Sequence, residues 1–244
     1  MGMPSWMWMA VGVFVLAGLV KGVVGLGLPT VAMGLLALRM PPAEAAALLV
    51  MPSLVTNLWQ MRPFSTLGPA LRRIGTMQIG ICVGTGVGAA LLGAPAGAWA
   101  GVALGVALVV YAAWTLAGAQ WQVPPQHEGW LGPLVGSVTG FITSATGVFV
   151  IPAVPYLQAL NLSRDLLIQT MGLCFSVSTL ALAAGLAWNG SFSVGDVGRS
   201  AVLLVPALVG MQIGTWLRQR LSPLWFKRCL MVGLLLLGVS MVVR

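Results

Sequence analysis

Long apolar runs alternate with short clusters of polar and charged residues along the whole chain. Six runs, roughly 43–61, 70–92, 97–118, 164–188, 197–218 and 222–243, each supply the ~20 residues that a helix needs to cross a hydrocarbon core of roughly 30 Å. Two further runs, roughly 5–38 and 130–160, are longer. Drawn as one helix at about 1.5 Å per residue, the first would reach about 51 Å, too long for a single crossing. Glycines interrupt both. The first contains Gly18-Leu-Val-Lys21-Gly22-Val-Val-Gly25-Leu-Gly27-Leu28-Pro29, and the second contains Gly140-Phe-Ile-Thr143-Ser144-Ala-Thr146-Gly147, followed by Pro152. Each long run is therefore predicted to be two shorter helical pieces. A break inside a bilayer frees backbone amides and carbonyls, and is tolerated only where it is packed in protein or lines a cavity. Paired breaks at matching positions of two halves point to the substrate site of a transporter.

The most polar stretch, Ala119 to Gly129, divides the chain near its centre. It includes Gln120, Gln122, Gln126, His127 and Glu128. The expected organisation is a membrane repeat over 1–118, a polar linker over 119–129 and a second repeat over 130–244. In each repeat a broken segment precedes three full spans. Smaller echoes follow the same order. Glu44 and Asp165 open the span after the broken segment, Gly84-xxx-Gly88 and Gly210-xxx-Gly214 lie in the third span, and Trp99 and Trp225 follow. The fold class expected is all-α, polytopic, with two homologous repeats.

The basic residues choose between two topologies. If each broken segment crosses once, the halves are parallel, and the two sides carry five and six basic residues. If each doubles back, the halves are inverted. One side then carries eight (Arg62, Arg72, Arg73, Arg164, Arg218, Arg220, Lys227 and Arg228) against three (Arg39, Arg199 and Arg244). The second count gives a positive-inside bias, so inverted repeats with both termini outside are expected. Trp6, Trp8, Trp59, Trp99, Trp121, Trp130, Trp188 and Trp225 fall near span ends, as in an interfacial aromatic belt.

Composition agrees with a bilayer protein. Only 7% of the residues are charged, 59% are hydrophobic, and the mean hydropathy is +0.98, against about 25% charged in a soluble domain. Met1 to Ala10 has no basic n-region and no small-residue cleavage site, so it reads as the start of the first membrane segment rather than a signal peptide. The net charge of +8 does not imply nucleic acid, because the basic residues punctuate apolar runs instead of clustering on a soluble face. Cys82, Cys174 and Cys229 are isolated, which supports neither a metal site nor a disulfide framework. No nucleophile–base pair, HExxH, Walker loop or heme-type CxxCH occurs, which argues against an enzyme and against a cofactor.

Candidate chemistry concentrates at the breaks. Lys21 is the one basic residue inside an apolar segment, a costly placement unless it faces a cavity or partner. A positive charge there would attract an anion. Gly22, Gly25 and Gly27 permit close backbone approach, and a half-helix N-terminus would present free N–H groups and a positive dipole end, with Thr30 a further candidate. In the second half Thr139, Thr143, Ser144 and Thr146, with Gly147 beside them, offer hydroxyls to an oxyanion, or else bond back to their own helix. Asn57, Gln60, Gln78, Gln169, Ser176, Ser178 and Gln212 are further polar candidates, with interhelical bonding as the alternative. Glu44 and Asp165 read as helix-start residues, with Ser163 as an N-cap. No carboxylate is then left deep in the membrane for a proton relay.

The chain resembles the TauE/SafE family of membrane permeases, the sulfite exporter family. The resemblance rests on Gly18-xxx-Gly22-xx-Gly25-x-Gly27, the run from Pro41 to Ala47 after the next apolar helix, and the repeat of this plan after residue 130. Gly210-xxx-Gly214 with Arg218, Leu221 and Ser222 before a last apolar helix adds to it. Leu28, Pro29 and Phe149 depart from the family's fuller glycine clusters. The resemblance implies a bacterial inner-membrane permease for small sulfur-containing anions such as sulfite or organosulfonates. The site expected comprises Lys21, Gly22, Gly25, Gly27, Thr30, Asn57, Gln78, Thr143, Ser144, Thr146, Gly147 and Gln212, near the bilayer midplane. The alternatives are a permease for a metal cation or neutral sulfur compound, or a non-transporting membrane scaffold. Small-residue faces would allow a homodimer.

Overall fold

The computed structural model describes residues 5–95, 97–118, 121–220 and 222–243. Met1, Gln120 of the expected linker, Leu221 and Arg244 lie outside the described residues. Within them all regular structure is helical: α1 (Ser5–Val24), α2 (Leu28–Leu36), α3 (Pro42–Gln60), a 3-10 turn (Phe64–Thr66), α4 (Leu67–Leu92), α5 (Ala98–Ala117), α6 (Pro125–Thr146), α7 (Ala153–Ala159), α8 (Arg164–Trp188), α9 (Val194–Leu217) and α10 (Pro223–Val243).

Six of these stretches are long and apolar enough to cross a membrane: Trp6–Val24, Phe64–Leu92, Ala98–Ala117, Arg164–Trp188, Val194–Leu217 and Leu224–Val243. Five match expected spans. The sixth is α1, where the sequence pointed to 43–61 instead. That stretch forms α3, which has the length of a span but more polar residues. Ser53, Thr56 and Asn57 of α3 are fully buried, so this helix faces protein and needs no lipid-compatible surface. The first long run divides unequally, into the 20-residue α1 and the nine-residue α2. The second divides into the 22-residue α6 and the seven-residue α7. Gly25 and Gly27, with φ of +84° and +107°, form the turn between α1 and α2, a conformation that costs other residues steric strain. Within the stretch 119–129, α6 begins at Pro125, whose fixed φ suits a first helical position.

Glycines decide which helices meet. A Cβ on Gly84 or Gly88 of α4 would strike Ser137, or Phe141 and Ser144, of α6. A Cβ on Gly210 or Gly214 of α9 would strike Val15, or Leu19 and Gly22, of α1. Removing side chains at these points lets two backbones touch, the small-residue packing that bilayer helices use in place of a hydrophobic drive. Both pairs run parallel, since residue numbers rise together along each seam.

The two central helices, α3 and α8, run antiparallel. Gly172 packs on Asn57, and the Gln60 amide donates to Ile168 O at 3.2 Å. Pro52 lies inside α3 and has no N–H for the carbonyl four residues earlier. Ser200 of α9 fills that gap: its hydroxyl donates to Leu48 O at 2.7 Å and accepts from Met51 N at 2.9 Å. On α8, Gln169 bonds Thr66 at the start of α4, at 2.9 Å, and Asn189 reaches Ala89 O near its end, at 3.1 Å, so α4 and α8 run parallel. The outer pair α5 and α10 is antiparallel, with Gly105 against Gly238 and Met241. Thus α1, α3 and α9 point one way and α4, α6 and α8 the other.

One end of the bundle therefore collects the close of α3, α5, α7 and α9 and the start of α4, α6, α8 and α10. Arg62, Arg72, Arg73, Arg164, Arg218, Arg220, Lys227 and Arg228 lie there, and Arg39 and Arg199 lie at the opposite end. At the basic end Arg73 forms a two-pronged bond to Glu128 of α6, at 2.7 and 2.9 Å, and also donates to Leu160 O at 2.7 Å. The outward faces of α9 and α10 expose Val202, Val205, Val209 and Ile213, and Leu236 and Val239, an apolar surface suited to lipid.

Candidate functional site

Lys21 stands in the last turn of α1, where Gly22 lets the helix lie directly on Met211 and Thr215 of α9. Its side chain is 4% exposed. Nζ donates to Thr56 Oγ1 at 3.1 Å and to Asn57 Oδ1, both on α3. The Thr56 hydroxyl is turned by its own bond to Pro52 O, 2.6 Å away, which leaves its lone pairs toward the ammonium. Both partners are neutral acceptors. None of the four acidic residues faces Lys21. Glu44 and Asp165 are exposed in the first turns of α3 and α8, Glu128 pairs with Arg73, and Asp196 pairs with Arg199 and caps α9.

The turn after Lys21 leaves further polar groups open. Gly25 N still bonds Lys21 O, and the first amide of α2 to bond backward is Val31, to Gly27 O at 2.9 Å. The amides of Leu26, Gly27, Leu28 and Thr30 have no acceptor among the described residues, and Gly27 supplies no side-chain cap. Free N–H groups at a helix start, with its positive dipole end, favour an anion. Thr30 Oγ1, Ser53 Oγ and Asn57 Nδ2 are buried without a partner. In a protein interior almost every such group is bonded, so each of these groups has capacity for a polar partner.

The second break differs in chemistry. Thr139, Thr143 and Thr146 donate to the carbonyl four residues earlier, each at 2.7 Å, and Ser144 donates to Phe141 O at 2.8 Å. Their protons serve their own helix in this state. Thr146 Oγ1 accepts from Val148 N at 3.1 Å and so covers one amide of the turn. Gly147 abuts Met33 of α2 and Ala46 of α3, which brings the second break against the helices around the first.

The amides separate. Gln78 is buried on α4, bonded to Ile74 O at 3.4 Å with Oε1 unpaired. Gln169 is spent on the turn after α3, donating to Met61 O, Pro63 O and Thr66 Oγ1. Gln212, in the same Met-Gln-Ile-Gly tetrapeptide as Gln78, is exposed on α9. Ser176 bonds Gly172 O, and Ser178 Oγ is buried and unpaired.

Sequence reasoning missed Thr56, Ser53 and Ser200. The signal was present: hydroxyls within one turn of Pro52, and a lone Ser in an apolar helix. It also missed the Ser193-x-x-Asp196 capping box at the start of α9, a readable helix-start pattern. The described residues contain no group of three or more His, Cys, Asp or Glu that could hold a metal, and all three cysteines are free.

The family described as Sulfite exporter TauE/SafE matches residues 10–241, nearly the whole chain. No curated protein and no solved structure matches.

Proposed function

Because the chain belongs to the sulfite exporter TauE/SafE family, a family of multi-pass membrane transporters, we propose that it carries a small sulfur-containing anion, sulfite or an organosulfonate, out across a bacterial inner membrane. The observation that carries this reading is Lys21: a buried cation held only by neutral acceptors, beside a helix start with unbonded amides. A buried charge is retained where a partner or cavity compensates it, and an oxyanion bridging Nζ, the α2 amides and Thr30 would do so. Gly22, Gly25, Gly27, Asn57 and Gln78 frame this half of the site. Thr143, Ser144, Thr146 and Gly147 frame the other half, their hydroxyls rotating from helix carbonyls to the anion as it arrives.

The architecture proposed is two inverted repeats, 1–118 and 130–244. Gly84 on Ser137 and Gly88 on Phe141 and Ser144 recur, in the other half, as Gly210 on Val15 and Gly214 on Leu19 and Gly22. The opposed directions of α3 and α8, and of α4 and α9, support inversion over a parallel repeat. The two parallel seams, α1–α9 and α4–α6, would be the surfaces on which one half rocks against the other. The basic end faces the cytoplasm in this arrangement.

Flux of labelled sulfite and a panel of small sulfonates into proteoliposomes tests the reading, with sulfate and carboxylates as competitors. Saturable flux preferring a sulfur anion is expected. Folded protein that moves none of these anions under an imposed proton gradient overturns it.

A further inference from the structure

A cavity of about 700 Å³ lies away from Lys21, between the end of α5, residues 121–122, α7 and the start of α10. Its walls carry Lys227, the amides of Gln122, Gln158 and Asn161, and the indoles of Trp114 and Trp121. Neither Thr56 nor Asn57 lines it, and the central helices α3 and α8 contribute no wall, so it stands outside the pathway proposed above. It lies at the basic end of the bundle. Lys227 is half-buried and has no carboxylate within salt-bridge distance among the described residues. Trp114 and Trp121 meet edge to face at 6.4 Å and are each partly exposed.

The volume exceeds what a three-oxygen anion would fill and falls in the range of sites for larger ligands, roughly 300–1,000 Å³. One cation, three amides and amphipathic rings match a phosphate ester carrying a polar head and an apolar body. Indole rings at this depth belong to the headgroup layer, and basic pockets between cytoplasmic helix ends hold lipid phosphates. We infer that this cavity binds the phosphate of an anionic phospholipid, with Lys227 on the phosphate, Gln122, Gln158 and Asn161 on the head group, and Trp114 and Trp121 along the glycerol and upper chain. The site is independent of which solute the protein transports.

Thermal unfolding of the full chain in detergent, titrated with phosphatidylglycerol, phosphatidylcholine or glycerol phosphate, tests this. Phosphatidylglycerol should raise the melting temperature saturably, and phosphatidylcholine should not. Lys227→Gln should weaken the apparent affinity about tenfold, the worth of one charge-assisted hydrogen bond, and Arg228→Gln, an exposed neighbour on the same helix, should leave it unchanged. Should Lys227→Gln not fold, Gln158→Leu reads the same site, with a smaller loss expected. An equal shift with glycerol phosphate keeps the phosphate chemistry and overturns the lipid as its source. Equal stabilisation by phosphatidylcholine, or undiminished phosphatidylglycerol affinity in both cavity variants, overturns the inference.

Discussion

Lys21 is fixed by what surrounds it more than by where it falls in the sequence. Thr56 and Asn57 accept its hydrogens but bring no charge. Lys21→Met removes the ammonium and keeps an unbranched side chain of similar reach. It should fold with an unchanged melting temperature and lose about ten- to hundredfold in anion flux, the worth of a charged hydrogen bond. Thr56→Val should lose only severalfold, because Thr56 orients Lys21 without carrying charge. A Lys21→Met variant with wild-type flux removes this residue from the site. The glycines give a second prediction. A Cβ at Gly84 strikes the Ser137 backbone, whereas one at Gly86 meets nothing within 4 Å. Gly84→Ala should destabilise by ~1–3 kcal/mol, the usual range for an overpacked contact, and Gly86→Ala should be neutral in the same thermal assay. From sequence Gly84 stands out only through the Gly84-xxx-Gly88 spacing, which does not say which helix it faces. Which one faces α6 depends on helix rotation, and an apolar helix with lipid on one side and protein on the other has little amphipathic contrast to reveal it. The pair Gln78 and Gln212 makes the same point: identical tetrapeptides, one amide buried and the other exposed.

At the scale of elements, length and apolarity made the spans legible, because a bilayer demands about 20 apolar residues from any lipid-facing helix. That criterion fails for helices that do not face lipid. α3 is as long as a span but packs against α2, α8 and α9, so it tolerates Ser53, Thr56 and Asn57, and its role emerges only from its neighbours. The gap at Pro52 shows how one helix depends on another. Ser200 supplies the donor that Pro52 cannot give to Leu48 O. Ser200→Ala should therefore cost about 1–3 kcal/mol, the penalty of a buried acceptor left unpaired. In a Pro52→Ala background the new N–H can bond Leu48 O, and the same Ser200→Ala change should cost measurably less. A double-mutant cycle on melting curves in detergent reads the coupling. Additive penalties would mean that Ser200 stabilises the α3–α9 contact by packing alone.

At the scale of the whole molecule, the direction of each helix becomes a statement about the membrane. Counting basic residues in loops already favoured an inverted arrangement. The seams between helices give a separate argument, since α1, α3 and α9 run against α4, α6 and α8. Together they put Gln126, at the start of α6, and Gly195, at the start of α9, at opposite ends of the bundle. A parallel repeat would put both on one side, because each would then follow an even number of crossings from the N-terminus. Single cysteines at these two exposed positions, in a background with Cys82, Cys174 and Cys229 replaced, separate the cases. With a membrane-impermeant maleimide on intact spheroplasts, Gly195→Cys should label at once and Gln126→Cys only after lysis, as the positive-inside rule requires of the basic end. Labelling of both from the same side would sink the inverted arrangement, and with it the rocking of one half on the other along the Gly84–Gly88 and Gly210–Gly214 seams.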